Sequence, residues 1–388
     1  MEDHGRRPSY RGLTMSVPRH DLVQSLGRKN TLRTIRKRPG LGFRNACRSR
    51  SASHLPCSER TRKKARTCTE GPFGEVLRAM GVEAGRIGLF LVPILLLMTG
   101  ACSRGPSVHS SLSVDRLDTI QPEIAARHSV ASLNLVCAQG LPGSWVIDLA
   151  TTEGTLHSWA ERVRTETERH RYRFQRNPAE YENSEGYFRM LMLTVVLAED
   201  FSVHYQEERR IAPGSGGAND GFFSDASAVF LPGLLGPKRE GTCSSMPVLY
   251  VAIGRKLGYP LKLVPTKGHL FVRWEGKGER FNIEATARGL VKYDDDHYRH
   301  WPFEITSQEE AAEGYLKSLT PAEELAVFLS IRAMCQREAG QIRNAAESFG
   351  AAARLAPGCA SYRMMAERLA LEASAQKVTR TKQQENAL

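Results

Sequence analysis

Three side chains in the middle of the chain have the types and the order that thiol-based acyl transfer requires. Such chemistry needs a nucleophile that attacks a carbonyl, a base that takes its proton, and a carboxylate that holds the base's tautomer. Cys243, His269 and Glu284 supply these in sequence. Cys243 opens the stretch GTCSSMPVLYVAIGRKLGYP, residues 241–260. Met246, Leu249, Tyr250, Ile253 and Leu257 recur there at helical spacing and predict one buried helix face. Pro247 is tolerated only in a first turn, Gly258 suits a left-handed exit, and Pro260 blocks continuation. These ends place Cys243 at the N-terminal edge of the helix. The macrodipole and free N–H groups there favour a thiolate and can hold an oxyanion. A lone cysteine at a helix start is more often a small buried side chain, so a base and an acid have to join it.

Both come from LKLVPTKGHLFVRWEGKGERFNIEAT, residues 261–286, which reads as two strands around the turn Glu275–Gly278. A four-residue loop there pairs Trp274 with Glu279 and sets His269 directly opposite Glu284. One face then carries His269, Phe271, Arg273, Arg280, Asn282 and Glu284. The other carries Leu270, Val272, Trp274, Phe281 and Ile283, an apolar set that must meet a core. A slip of one residue would turn the apolar set to solvent and part the imidazole from the carboxylate.

The run GTCSSMPVLYVAIGRKLGYP, then GHLFVRW, then RFNIEAT resembles the core of the bacterial transglutaminase-like superfamily. The matching features are Gly241-x-Cys243, the Leu257-Gly258-Tyr259-Pro260 exit, and Glu284-Ala285-Thr286 in place of an Asp-Pro-Thr ending. The resemblance covers about 240–290. It implies an α+β, papain-like fold and thiol chemistry on peptide or protein amides, as hydrolysis or acyl transfer, with no metal or organic cofactor. This chain departs from the pattern at Glu284, where Asp is usual. Some relatives with altered sites are noncatalytic, so the alternative is a transglutaminase-like binding or assembly module.

These residues need elements to position them. The transglutaminase-like domain is expected over 117–320, with a helical N-terminal part. In it Leu156, Trp159, Val163 and Thr167 form a helical stripe, and Ser184 offers an N-cap for a second helix. Residues 321–375 read as tetratricopeptide-like helices, with Ala345, Phe349, Ala352 and Pro357 matching a second helix and exit proline. Fewer than the three repeats of a stable array are visible, so they form a helical-hairpin appendage and a possible protein-binding surface. Residues 376–388 are a polar tail.

Upstream, the chain's net charge of +12 is concentrated at one end: residues 1–79 hold 19 Lys and Arg against 6 Asp and Glu, while the rest holds 35 and 36. That arm reads as disordered or as a start placed too far upstream, and nucleic acid is not an expected partner. Residues 80–102 combine Arg86, the apolar run Ile87–Met98, small residues and Cys102. This is a secretory, lipoprotein-type signal, too short to span a bilayer comfortably, with Cys102 as the lipidation site. Residues 103–116 then serve as a tether. The expected location is the extracytoplasmic face of the cell envelope, membrane-anchored through a lipidated Cys102 or, as the alternative, through a single uncleaved N-terminal signal-anchor.

Other constellations are weaker. The glycine-rich Ala212–Gly217 lacks a nucleotide-binding pattern. Asp294-Asp295-Asp296-His297 is a solvated loop sooner than a cation site. His157, His170 and His204 have no ligand spacing, and Trp301-Pro302-Phe303 either walls a cleft or seals the core. Widely spaced cysteines argue against a disulfide framework or a structural zinc, with one bridge of the Cys137–Cys335 kind left open.

Overall fold

The chain builds a mixed α+β architecture around one apolar helix. The structure, a computed structural model, describes residues 112–117, 119–144, 148–210, 221–276 and 278–385, all inside one compact unit spanning 110–388. The basic arm, the signal-like segment with Cys102, most of the tether and the glycine-rich loop lie outside the described residues. Among those described, no helix is long and apolar enough to cross a membrane.

The helical part comprises α1 (Pro122–Ala125), α2 (Val130–Ala138), α3 (Leu149–Arg176) and α4 (Glu185–Val195). The expected stripe on α3 is buried and continues to His170. Ser184 caps α4, its hydroxyl accepting from Tyr187 N at 2.8 Å. A short parallel pair, β1 (His204–Tyr205) with β2 (Glu240–Gly241), brackets α5 (Ala226–Val229) and α6 (Leu231–Leu235). Next comes α7 (Met246–Lys256), with Gly258 at φ +75° beyond its end. The sequence predicts one buried face on α7, but every residue from Met246 to Gly254 is buried. An all-apolar helix is a core helix, and α7 packs against α2, α3 and α6 as well as β3 (Leu261–Thr266) and β4 (His269–Gly276).

Strands β3, β4 and β5 (Glu279–Ile283) form an antiparallel sheet in that order. The register differs from the expected one by two residues. Gly276 pairs with Glu279 and Arg273 with Asn282, so the hairpin closes more tightly than a four-residue loop. Gly278, at φ +79°, supplies the left-handed position that such a turn needs. A shift of two keeps every side chain on its face. Leu270, Val272, Trp274 and Ile283 therefore still enter the main core, but His269 is no longer directly opposite Glu284.

The opposite face is not solvated. It is covered by α8 (Asp295–His300) and by the segment between α9 (Ser307–Glu313) and α10 (Pro321–Glu338). Tyr298 of α8 stacks on Phe271 with ring centroids 3.8 Å apart, and Val264 and Leu316 close the cluster. Arg273, only 2% exposed, is satisfied by Asn282 at 2.8 Å, the Leu316 carbonyl at 2.9 Å and Asp295 at 2.6 Å. Asp295 is thus an ion-pair hub that ties α8 to the sheet, and Asp294 caps α8 by accepting from His297 N. Among the described residues, no His, Cys, Asp and Glu cluster is arranged to hold a metal.

Helix α10 starts at a capping box in which Thr320 and Glu323 bond reciprocally. Its Leu325, Phe328 and Leu329 belong to the main core. With α11 (Ile342–Leu355) and α12 (Ala360–Glu385) it forms an antiparallel array around a satellite cluster of Ala333, Ile342, Ala345, Phe349 and Leu369. The polar tail expected from 376 continues α12 instead, since 360–385 contains neither glycine nor proline to stop it. Cys137 and Cys335 are both buried and free, not bridged, and burial pushes each thiol up to about 12.

Removing the hub's charge exposes its weight. Asp295→Ala strands a buried guanidinium and is expected to cost roughly 3 kcal/mol of unfolding free energy. Arg280→Ala, which removes the hub's half-exposed partner, is expected to cost less than about 1 kcal/mol. Urea denaturation of the two variants measures the difference, and equal losses would show that Asp295 is not what satisfies Arg273.

Candidate active site

Cys243 sits in a turn that is fixed from both sides. The regular helix begins at Met246, but its hydrogen bonding starts earlier, with Met246 N donating to Thr242 O at 3.0 Å. Thr242 Oγ1 accepts from Ser244 N at 3.3 Å, while Ser245 Oγ accepts from Thr242 N at 3.0 Å. This is the reciprocal bonding of a capped N-terminus, and it makes Cys243 the first residue inside the cap. Pro247 has no N–H to donate to the Cys243 carbonyl, which is why the regular helix is delayed. Both hydroxyls also donate to the Ala228 carbonyl, Thr242 at 3.1 Å and Ser245 at 2.9 Å. Gly241 has to be glycine: a Cβ there would lie 2.7 Å from Leu234 and 2.8 Å from Ser245 Oγ.

His269 opens β4 and is paired in register with Thr266. Its Nε2–H donates to Glu284 Oε2 at 2.8 Å, and Cys243 is close enough to act electrostatically on the ring. Because Nε2 is taken, Nδ1 is the nitrogen left for the sulfur. The edge of Trp301 closes on the imidazole at 4.7 Å between centroids.

Glu284 lies one residue past β5, where its N–H turns away to Val291 O at 2.9 Å. Its Oε1 accepts from Thr286 N at 2.9 Å and Thr286 Oγ1 at 2.6 Å. Its Oε2 accepts from His269 and from the Tyr298 hydroxyl at 3.1 Å. Every lone-pair direction of this buried carboxylate is therefore used. The observed register puts Glu284 diagonal to His269, a longer span than a direct pair, and the longer side chain of Glu over Asp covers it.

Burial by itself disfavours a charged imidazole, but the Glu284 carboxylate and the Cys243 thiol outweigh it and raise His269 to about 10. Burial also favours a neutral Glu284, yet His269 and the two Thr286 donors hold it below the ordinary carboxylate value. Imidazolium and carboxylate therefore coexist at neutral pH.

Tyr205 was not visible from the sequence as part of this site. Tyr205 pairs in parallel register with Gly241, two residues before Cys243, and its hydroxyl donates to Arg209 O at 3.4 Å. Burial, then the charge on Cys243, hold this phenol above its usual value. Tyr298 was equally hidden, because the acidic run before it reads as a solvated loop. Thr286 carried a usable signal: a hydroxyl two residues after an acid is the spacing of a local side-chain turn.

Cys243 and His269 face a cleft of about 700 Å³, walled also by Ser244, the 265–270 turn, Phe303, α10 and the start of α12, while Glu284 lies buried behind the imidazole. Of the two roles foreseen for Trp301-Pro302-Phe303, Phe303 walls this cleft and Trp301 covers His269. Cys102 lies outside the described residues. No protein-family model matches the chain, and no curated protein or solved structure matches it either.

The two shifts act on stability in opposite pH directions. The raised His269 contributes fully below its unfolded value of about 6.5 and loses that contribution as pH rises towards about 10. The lowered Glu284 contributes above its unfolded value and loses that contribution as pH falls through its depressed one. Stability is thus expected to peak between about pH 4.5 and 6.5. Glu284→Gln should abolish the alkaline decline and leave the imidazole neutral at pH 7. Urea midpoints across pH, with ring NMR shifts of His269, test this; an unchanged alkaline limb would refute it.

Proposed function

We propose that this chain is a transglutaminase-like cysteine hydrolase or acyltransferase that acts on peptide or protein amides and is held in the cell envelope through its N-terminal segment. The observation that carries the reading is the buried His269–Glu284 bond at 2.8 Å, which commits Nε2 and leaves the other ring nitrogen to Cys243. The order of parts supports the family: a helix opens on the cysteine, the next sheet brings the histidine, and the acid follows the last strand.

In the proposed reaction the Cys243 thiolate adds to the amide carbonyl carbon, forming a C–S bond and an oxyanion. Backbone N–H groups at the helix start that Cys243 opens are the donors this reading assigns to that oxygen. Collapse breaks the C–N bond, and the His269 imidazolium gives its proton to the departing amine. Water or a second amine then attacks the thioester and passes a proton to His269. The sulfur leaves as thiolate, and the ion pair is restored. Glu284 stays ionised throughout, fixing the tautomer and stabilising the imidazolium. This chemistry requires no metal or organic cofactor.

Cys359 provides an internal control, since it lines the same cleft but its thiol is pushed up to about 11, first by burial. Iodoacetamide at pH 7 is expected to alkylate Cys243 about tenfold or more faster than Cys359, Cys137 or Cys335. His269→Ala should remove most of that advantage. Peptide mapping by mass spectrometry reads both, and a Cys243 no faster than Cys359 would sink the catalytic proposal in favour of a binding module. Mass spectrometry of the mature N-terminus tests the anchor, with a lipidated Cys102 as the expected start.

A further inference from the structure

The cleft that Cys243 lines has an apolar floor formed largely by α10. On α10, Leu325, Ala326 and Phe328 are wholly buried in the main core, whereas Val327 and Ile331 keep 8% and 7% exposure. They stand one turn apart on the stripe of α10 that lines the cleft, together with Glu323 and Ser330. Leu270, Leu319 and Ala356 also line the cleft and retain similar slight exposure. Aromatic rings of Phe222, Phe223 and Phe303 complete the walls. The aliphatic side chains belong to the buried core, yet each contributes atoms to the cleft wall, and apolar lining of a concave site gains when a ligand displaces water from it.

The charges of the cleft do not invite a basic occupant. Glu313 already accepts from Ser361 N and the Cys359 thiol, and Glu323 is committed to its capping box. Lys267 is paired with Glu309 at 2.6 Å, and Lys317 is an exposed rim residue. Tyr315, Ser330 and Tyr362 are interspersed among the apolar residues of the lining, the Ser330 hydroxyl donating to Val327 O at 2.8 Å and keeping lone pairs that can accept. That mixture suits a peptide, whose backbone needs polar partners, better than a plain hydrocarbon chain.

We propose that this cleft is the substrate subsite for a peptide segment carrying a bulky apolar side chain beside the amide that Cys243 attacks, with Val327 and Ile331 of α10 setting the preference. The inference rests on the thiol reading above and gives the C-terminal helices a part in substrate choice.

The probes are two blocked tetrapeptides, acetyl-Gly-Leu-Phe-Gly-amide and acetyl-Gly-Ser-Asp-Gly-amide. Titrated against the full chain carrying Cys243→Ala, the first should bind roughly tenfold or more tightly than the second, as pocket discrimination of this kind usually does. In the unsubstituted protein it should also slow alkylation of Cys243 at lower concentration. Ala356→Phe, which fills the floor, and Ile331→Ala, which removes part of the wall, should each weaken the apolar peptide selectively. Two variants guard against one failing to fold, and circular dichroism checks both. Equal binding of the two peptides, tighter binding of the acidic one, or displacement by myristate alone would overturn the subsite. None of those outcomes touches the thiol reading, which is judged by the alkylation rate of Cys243 without peptide.

Discussion

An imidazole and a carboxylate, each with about 4% of its side chain exposed, face one another at 2.8 Å inside this protein. Charged groups are buried at a cost of several kcal/mol each unless hydrogen bonds replace the water they lose. Here they do: Thr286 takes one oxygen of Glu284, while His269 and Tyr298 share the other. Much of the surrounding architecture follows from that requirement. Tyr298 has to stand over the sheet, so α8 has to be there, and the Asp295–Arg273 bond anchors α8 to β4. Trp301 and the stacked Phe271–Tyr298 rings keep the pair dry. A dry site in turn strengthens the field the carboxylate exerts on the imidazole.

The thiol is positioned by a separate set of contacts. Thr242 and Ser245 hook the first turn of α7 to the Ala228 carbonyl, and the absent side chain of Gly241 lets that turn seat against Leu234. The β1–β2 pairing sets Tyr205 beside Gly241, at the strand that leads into Cys243. The cysteine side and the histidine–glutamate side belong to different elements, and they meet because α7 packs on β3 and β4. The buried helix is the rigid spacer between nucleophile and base, as precise sites require.

Helix α10 links the site to the C-terminal helices. One of its faces completes the main core, and another lines the cleft above Cys243. A helix doing both cannot shift without moving the cleft wall, which couples the stability of the C-terminal array to the shape of the proposed subsite.

Much of the arrangement around α7 was legible locally. Pro247, Gly258 and Pro260 mark its ends because proline and glycine act on the backbone at their own positions. The alternation in 269–284 assigned each side chain to its face, since strand periodicity is a property of the strand alone. The same alternation is blind to a shift of two residues, so the diagonal placement of Glu284 and the tighter turn at Gly278 emerged only when the strands were paired. Nor could it tell that the His269 face is covered, because α8 and the segment at Leu316 arrive from elsewhere in the chain. Tyr205 and Tyr298 had no signature near the triad for the same reason. Residue types and local spacing determined which groups could do chemistry and which way they point. Tertiary packing decided whether those groups are dry, which donors saturate the carboxylate, and what lines the cleft, since those depend on contacts between segments distant in sequence.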